Sequence, residues 1–162
     1  MADINATANI IRFNDGGVIK IGTKFLLNIQ DGSLQFTPGL WEPLPIMDRD
    51  AHVDVPRRGA ERSTELSVDV KFTSAATATE LYAYLVQSGT GGKIFNFPVE
   101  IGYKTNKDST GGEKLVFAKC YLKTSPQIQS GTDWDILKLQ LTDHEAKPTA
   151  STVADWAAYL AT

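Results

Sequence analysis

The sequence predicts a mainly β fold: an antiparallel β-sandwich or open barrel with one packed α-helix. Three observations point there. Polar and apolar residues alternate strictly through "STELSVDVKFT" (63–73), the pattern of a half-buried strand. Strand-like runs follow one another without intervening helices, which favours hairpin connections and antiparallel ladders over βαβ units. Only "SAATATELYAYLVQSGTGG" (74–92) clearly changes to a helical period.

In chain order, residues 1–16 are polar and aperiodic and read as an N-terminal arm ending at the turn signal Asp15-Gly16-Gly17. The core domain spans 17–142. In "VIKIGTKFLLNIQDGSLQFTPG", Asp31-Gly32 sits between two apolar-rich runs, a strong hairpin signal, and Pro38-Gly39 closes the second run. A 25-residue excursion, 38–62, follows with no period. In the alternating strand, Leu66, Val68, Val70 and Phe72 point to the core, and Glu65, Ser67, Asp69 and Lys71 point away. The helix is expected at about 76–88, with Ser74 or Thr77 to cap its start and Gly89 its end. "KIFNFPVEIGYK", "KLVFAKCYLK" and "DWDILKLQLTD" read as strands, separated by the polar stretches "TNKDSTGGE" and "TSPQIQSGT". Residues 143–162 read as a C-terminal arm or short helix, with Val153, Trp156 and Leu160 on one side.

The totals narrow the function. A chain of 162 residues, 42% hydrophobic and 22% charged, can bury a core as one domain. Its single cysteine, Cys120, excludes an intrachain disulfide framework. No apolar run reaches the roughly 20 residues that cross a bilayer, and no secretory leader is visible. The net charge of −3 argues against a nucleic-acid binder, which presents a basic face to phosphate.

Local motifs yield no chemistry. "SGTGGK" (88–93) lacks the spacing and the Ser/Thr of a phosphate loop and follows a helix, so it reads as a cap and turn. His52 and His144 each have carboxylates nearby but no set of three or four ligands. Cys120 lies within a strand pattern and reads as a small buried residue. We therefore expect no enzyme activity, no cofactor and no metal site.

The long excursion is informative because connections beyond about 12–15 residues are usually functional. Between residues 48 and 65, Arg49, Arg57, Arg58 and Arg62 are balanced by Asp48, Asp50, Asp54, Glu61 and Glu65. A mixed, arginine-rich set suits protein contacts, where guanidinium and carboxylate pair bidentately. Trp41, Leu44, Ile46 and Met47 add apolar anchors. These four residues and the four arginines are the candidate subunit-interface residues.

This layout, with "DGSLQFTPG" leading into a long charged loop, then "RSTELSVDVKFT", then a helix, resembles the major tail tube proteins of long-tailed bacteriophages, which are related in fold to contractile-tail tubes and the type VI secretion tube protein. The resemblance implies stacked, hexameric rings forming a hollow conduit for DNA ejection, with the inner sheets joined into one barrel. It implies a loop at 38–62 that reaches a neighbouring copy, and terminal arms that make contacts between rings. Its partners would be other copies of itself and other tail proteins (tape measure, terminator and tip), with DNA passing unbound and no membrane. The location would be the virion tail, assembled in the host bacterial cytoplasm. Glu65 and Asp69 are the candidate lumen-facing residues, on the argument that a DNA conduit avoids a net positive wall. Two other readings are a different virion protein (tail terminator or head decoration) and a β-sandwich binding module.

Overall fold

The computed structural model describes residues 17–47, 54–61, 63–87, 90–104, 109–144 and 148–162. Its strands are β1 (Val18–Ile21), β2 (Phe25–Ile29), β3 (Gln35–Thr37), β4 (Trp41–Met47), β5 (Asp54–Glu61), β6 (Thr64–Phe72), β7 (Phe97–Lys104), β8 (Gly112–Leu122), β9 (Gln127–Gln129), β10 (Asp135–Asp143) and β11 (Thr149–Val153). The helices are α1 (Ala75–Leu85) and α2 (Trp156–Ala161).

Six strands close into an antiparallel barrel in the order β8-β7-β1-β2-β6-β10, and β10 pairs back onto β8. The mainly β architecture with a packed helix is as the sequence predicts. Barrel closure within one chain, through Leu141 opposite Leu122 and Asp143 opposite Cys120, goes beyond the local patterns. The interior is apolar by alternation: Ile19 and Ile21, Leu66 to Phe72 on even positions, Val99 and Ile101, Phe117, and Leu137 to Leu141 on odd positions. Helix α1 turns Ala78, Leu81 and Leu85 into this core. Tyr84 adds edge or tilted ring contacts to Phe25, Phe95 and Phe97. The chain reverses between β1 and β2 at Gly22, whose φ of +63° suits glycine, and a Cβ there would lie 2.2 Å from the Tyr84 hydroxyl.

Two expectations change. The first concerns Asp31-Gly32, which does not make a hairpin. Both β2 and β3 run antiparallel to the same strand, β6, so the pair lies in a bulge within one long bent strand. Five residues (30–34) face only two of β6 (68–69). The lost ladder bonds are replaced locally: Gln30 N–H donates to Asp69 O (2.8 Å), and Asp69 N–H donates to the Ser33 hydroxyl (3.2 Å). A matching interruption divides β8 from β9, where four residues (123–126) face two of β10 (139–140). The polar stretch 124–132, read as a separator, thus contains a strand.

The second concerns 38–62. Its segments 41–47 and 54–61 form a two-stranded antiparallel sheet of their own, β4–β5, with Leu44 opposite Arg57 and Met47 opposite Asp54. Pro43, Pro45 and Pro56 hid this from the sequence. Proline is excluded from central strands but tolerated here, because every strand of a two-stranded ribbon is an edge. At the base of the ribbon Gly39 N–H donates to the Thr64 hydroxyl at 3.2 Å.

Candidate assembly surface

Strands β6 and β10 pair over nine residues each, from Asp135–Phe72 to Asp143–Thr64. Beyond the two bulges, β3 and β9 flank this pair at diagonal positions: β3 beside residues 65–67 of β6, and β9 beside residues 136–138 of β10. The result is a four-stranded patch, β3-β6-β10-β9, whose outer face alternates away from the barrel core. Its cross-strand rows are Thr37–Glu65–Thr142, Gln35–Ser67–Gln140, Asp69–Lys138–Gln127 and Lys71–Ile136–Gln129. Eleven of these twelve residues are polar, so this face is built to meet water.

Glu65 and Asp69, singled out from the alternation, both stand on this face, with Glu65 exposed and Asp69 half-buried. The Glu65 charge is compensated. Lys123 Nζ lies 2.5 Å from Glu65 Oε1, and Lys138 sits opposite Asp69 in the ladder. Lys71 lies over the Trp134 ring, 4.6 Å from its centroid. The described face thus sets two carboxylates, Glu65 and Asp69, against three lysines, Lys71, Lys123 and Lys138. The sequence could not show this, because Lys123 reaches Glu65 only through the β8–β9 bulge.

The patch has two free edges. The barrel continues past β6 through β2 and past β10 through β8, so the outer sides of β3 and β9 carry no strand among the described residues. Each edge is three residues long and marked on its barrel side by an exposed apolar residue: Phe36 (42% exposed) on β3 and Ile128 (61% exposed) on β9. Phe36 also packs edge-on against Phe117. Neither residue stood out in the sequence. The signal was a lone large apolar residue between polar ones, in "QFT" and "QIQ".

Of the interface candidates, Trp41, Leu44, Ile46 and Met47 belong to β4, and Arg57 and Arg58 to β5. Register brings Leu44 to Arg57 and separates Arg58, opposite Pro43. Arg49, Arg62 and His52 lie outside the described residues, as do the arm at 1–16 and Gly89; helix α1 ends at Leu85 with Val86 as its cap, short of the expected 76–88, and Ser74 stands at its start without a side-chain capping bond.

The C-terminal segment is docked on the chain's own barrel. Strand β11 pairs with β8, and α2 lays Trp156 and Tyr159 against Gly102 and Gly112, where a Cβ would come within 2.8 Å of either ring. Tyr159 is the buried residue of α2, whereas Leu160 is 37% exposed, so the apolar side differs by one position from that expected. Asp155 caps the helix by accepting from Ala158 N–H. Lys20 Nζ donates to Tyr159 O at 2.5 Å and lies over its ring at 4.0 Å. The Tyr159 hydroxyl donates to Glu100 Oε2 at 3.3 Å, and Lys114 pairs with the same carboxylate at 3.2 Å. Burial first, then the Glu100 charge and hydrogen bond, push the Tyr159 hydroxyl well above its usual titration range.

The remaining chemical candidates are placed apart. Cys120 is fully buried in the barrel, and burial, with the Asp143 carboxylate, raises its thiol. His144 is exposed, its ring 4.6 Å from Tyr121. Gly91 and Gly92 form a left-handed turn after α1. Among the described residues no three His, Cys, Asp or Glu side chains come together as a metal site, and no helix is long and apolar enough to cross a membrane.

No family model matches the sequence, and no curated protein matches it. The fold, however, is shared with a chain of a solved assembly, the cryo-EM structure of an extracellular contractile injection system, the PVC sheath-tube complex in its extended state. The TM-score is 0.60 at 11% identity, and the match covers 94% of this chain and 100% of that one. At this identity the likeness is one of fold.

Proposed function

We propose that this chain is a structural subunit of a phage tail tube, forming stacked, hexameric rings around a conduit for DNA. The observation that carries the reading is the pair of free edges on one polar-faced sheet. Strand β3 runs antiparallel to β6, and β9 runs antiparallel to β10, so β3 and β9 run in opposite directions. The β9 of one copy can therefore extend the β3 edge of the next as an ordinary antiparallel ladder, and the arrangement repeats head to tail until it closes. Pairing Phe36 with Ile128 keeps both on the barrel side and both polar faces on the other, so the polar faces of successive copies form one continuous wall.

The wall suits passage without binding. Lys123 is paired with Glu65 and Lys71 lies over the Trp134 ring, which limits the counterion exchange that would hold phosphate. The β4–β5 ribbon, with Trp41, Leu44, Ile46, Met47, Arg57 and Arg58, and with Arg49 and Arg62 next to it in sequence, serves as the contact to a neighbouring copy. The tape measure, terminator and tip proteins would complete the tail, assembled in the bacterial cytoplasm. Negative-stain microscopy of concentrated, full-length protein tests this: hollow tubes are expected, and particles that remain monomeric at every concentration would refute it. The likeness to a chain of a sheath–tube complex supports the same reading at the level of fold.

A further inference from the structure

A groove of about 540 Å³ is lined by Val86 at the end of α1, Ile94, Leu122 at the end of β8, and Lys123 and Ser125 from the bulge that leads into β9. Val86 is 46% exposed and Ile94 59%, an apolar floor open to solvent in the isolated chain. On the other edge of the same patch, the residue leaving β3 toward the β4–β5 ribbon is Leu40, 71% exposed and the most exposed of the large hydrophobics described.

Resting on the ring seam proposed above, we infer that this groove is the receptor for the neighbouring copy's Leu40 and the base of its β4–β5 ribbon. Strand direction leads to this pairing. In an antiparallel seam with Phe36 opposite Ile128, Thr37 faces Gln127, and each further step along the donor chain meets one step back along the acceptor. Residues 38–40 therefore pass over 126, 125 and 124, of which 125 and 124 line the groove. Leu40 is thereby directed toward the groove's apolar floor. The ribbon is thereby oriented by two attachments, its own Gly39–Thr64 bond and the neighbour's groove.

The test is disulfide trapping in full-length protein carrying Leu40→Cys together with Ile94→Cys. The native Cys120 is buried and its thiol raised, so it stays silent. Mild oxidation of assembled tubes is expected to give a ladder of covalent oligomers on non-reducing gels. The control pair Leu40→Cys with Leu26→Cys, on the far side of the barrel, gives none. Tubes that form but yield no Leu40–Ile94 ladder, or an equal ladder from the control, overturn the groove assignment and leave the tube reading standing. Failure of the wild-type chain to form tubes at any concentration removes the seam and the groove together. As a second readout, Ile94→Asp should raise the concentration needed for assembly at least tenfold with the melting temperature unchanged; unchanged assembly would contradict the assignment.

Discussion

Ile128 offers the sharpest measure of the seam. In the isolated chain it is 61% exposed, so truncation there costs the folded monomer little. Replacing it with alanine removes three carbons; at about 0.8 kcal/mol per buried CH₂, full burial of those atoms would be worth about 2.4 kcal/mol. About three-fifths of that surface remains for a neighbour to cover, leaving roughly 1.5 kcal/mol per seam. In a closed ring there is one seam per subunit, so Ile128→Ala should raise the critical concentration for assembly by about tenfold. The assay is pelleting of tubes across a dilution series, with thermal unfolding of the dilute protein run alongside. Tubes with a critical concentration within twofold of wild type would show that the β9 edge is not the seam. A fall in monomer stability of the same size would show that Ile128 acts within the fold.

Three further outcomes follow from the barrel itself. The Tyr159 hydroxyl is raised in the folded chain, so its contribution is fully present below its ordinary value of about 10 and is lost as pH rises above that; the alkaline decline in stability should be shallower in Tyr159→Phe, and identical pH profiles would contradict this. Gly22→Ala places a side chain at positive φ and against Tyr84, and should cost about 1–3 kcal/mol in urea unfolding, whereas a neutral result would mean the turn relaxes freely. The native Cys120 thiol should react with a thiol reagent only on unfolding, so reaction at the rate of an unfolded control would refute its burial.

How much of this was legible depended on whether a signal is local. Strand β6 and helix α1 were readable because period 2 and period 3.6 follow from backbone geometry alone, and Leu66 to Phe72 and Ala78 to Leu85 keep those periods cleanly. Asp31-Gly32 was misread because a hairpin and a bulge share the same requirement, a residue at positive φ (Gly32, +72°) between extended runs. Only the partner strand distinguishes them, and β6 lies more than thirty residues away. Prolines concealed the β4–β5 ribbon for the same reason. The polarity of Glu65 and Asp69 was legible, but not Lys123, which reaches Glu65 from the β8–β9 bulge, or Lys138, which stands opposite Asp69 on β10. The free edges could not be read at all, since an edge is defined by what fails to pair with it in space.

The closed barrel has a consequence for timing. Because the main ladder is completed within each polypeptide, maturation of the subunit need not wait for company, and the polar-faced patch is left with two short margins of three residues each. Margins that short hold a single encounter weakly, which keeps a crowded pool of finished subunits from clumping. Growth then favours a template that engages several margins at once, so where a filament begins can be decided by another component.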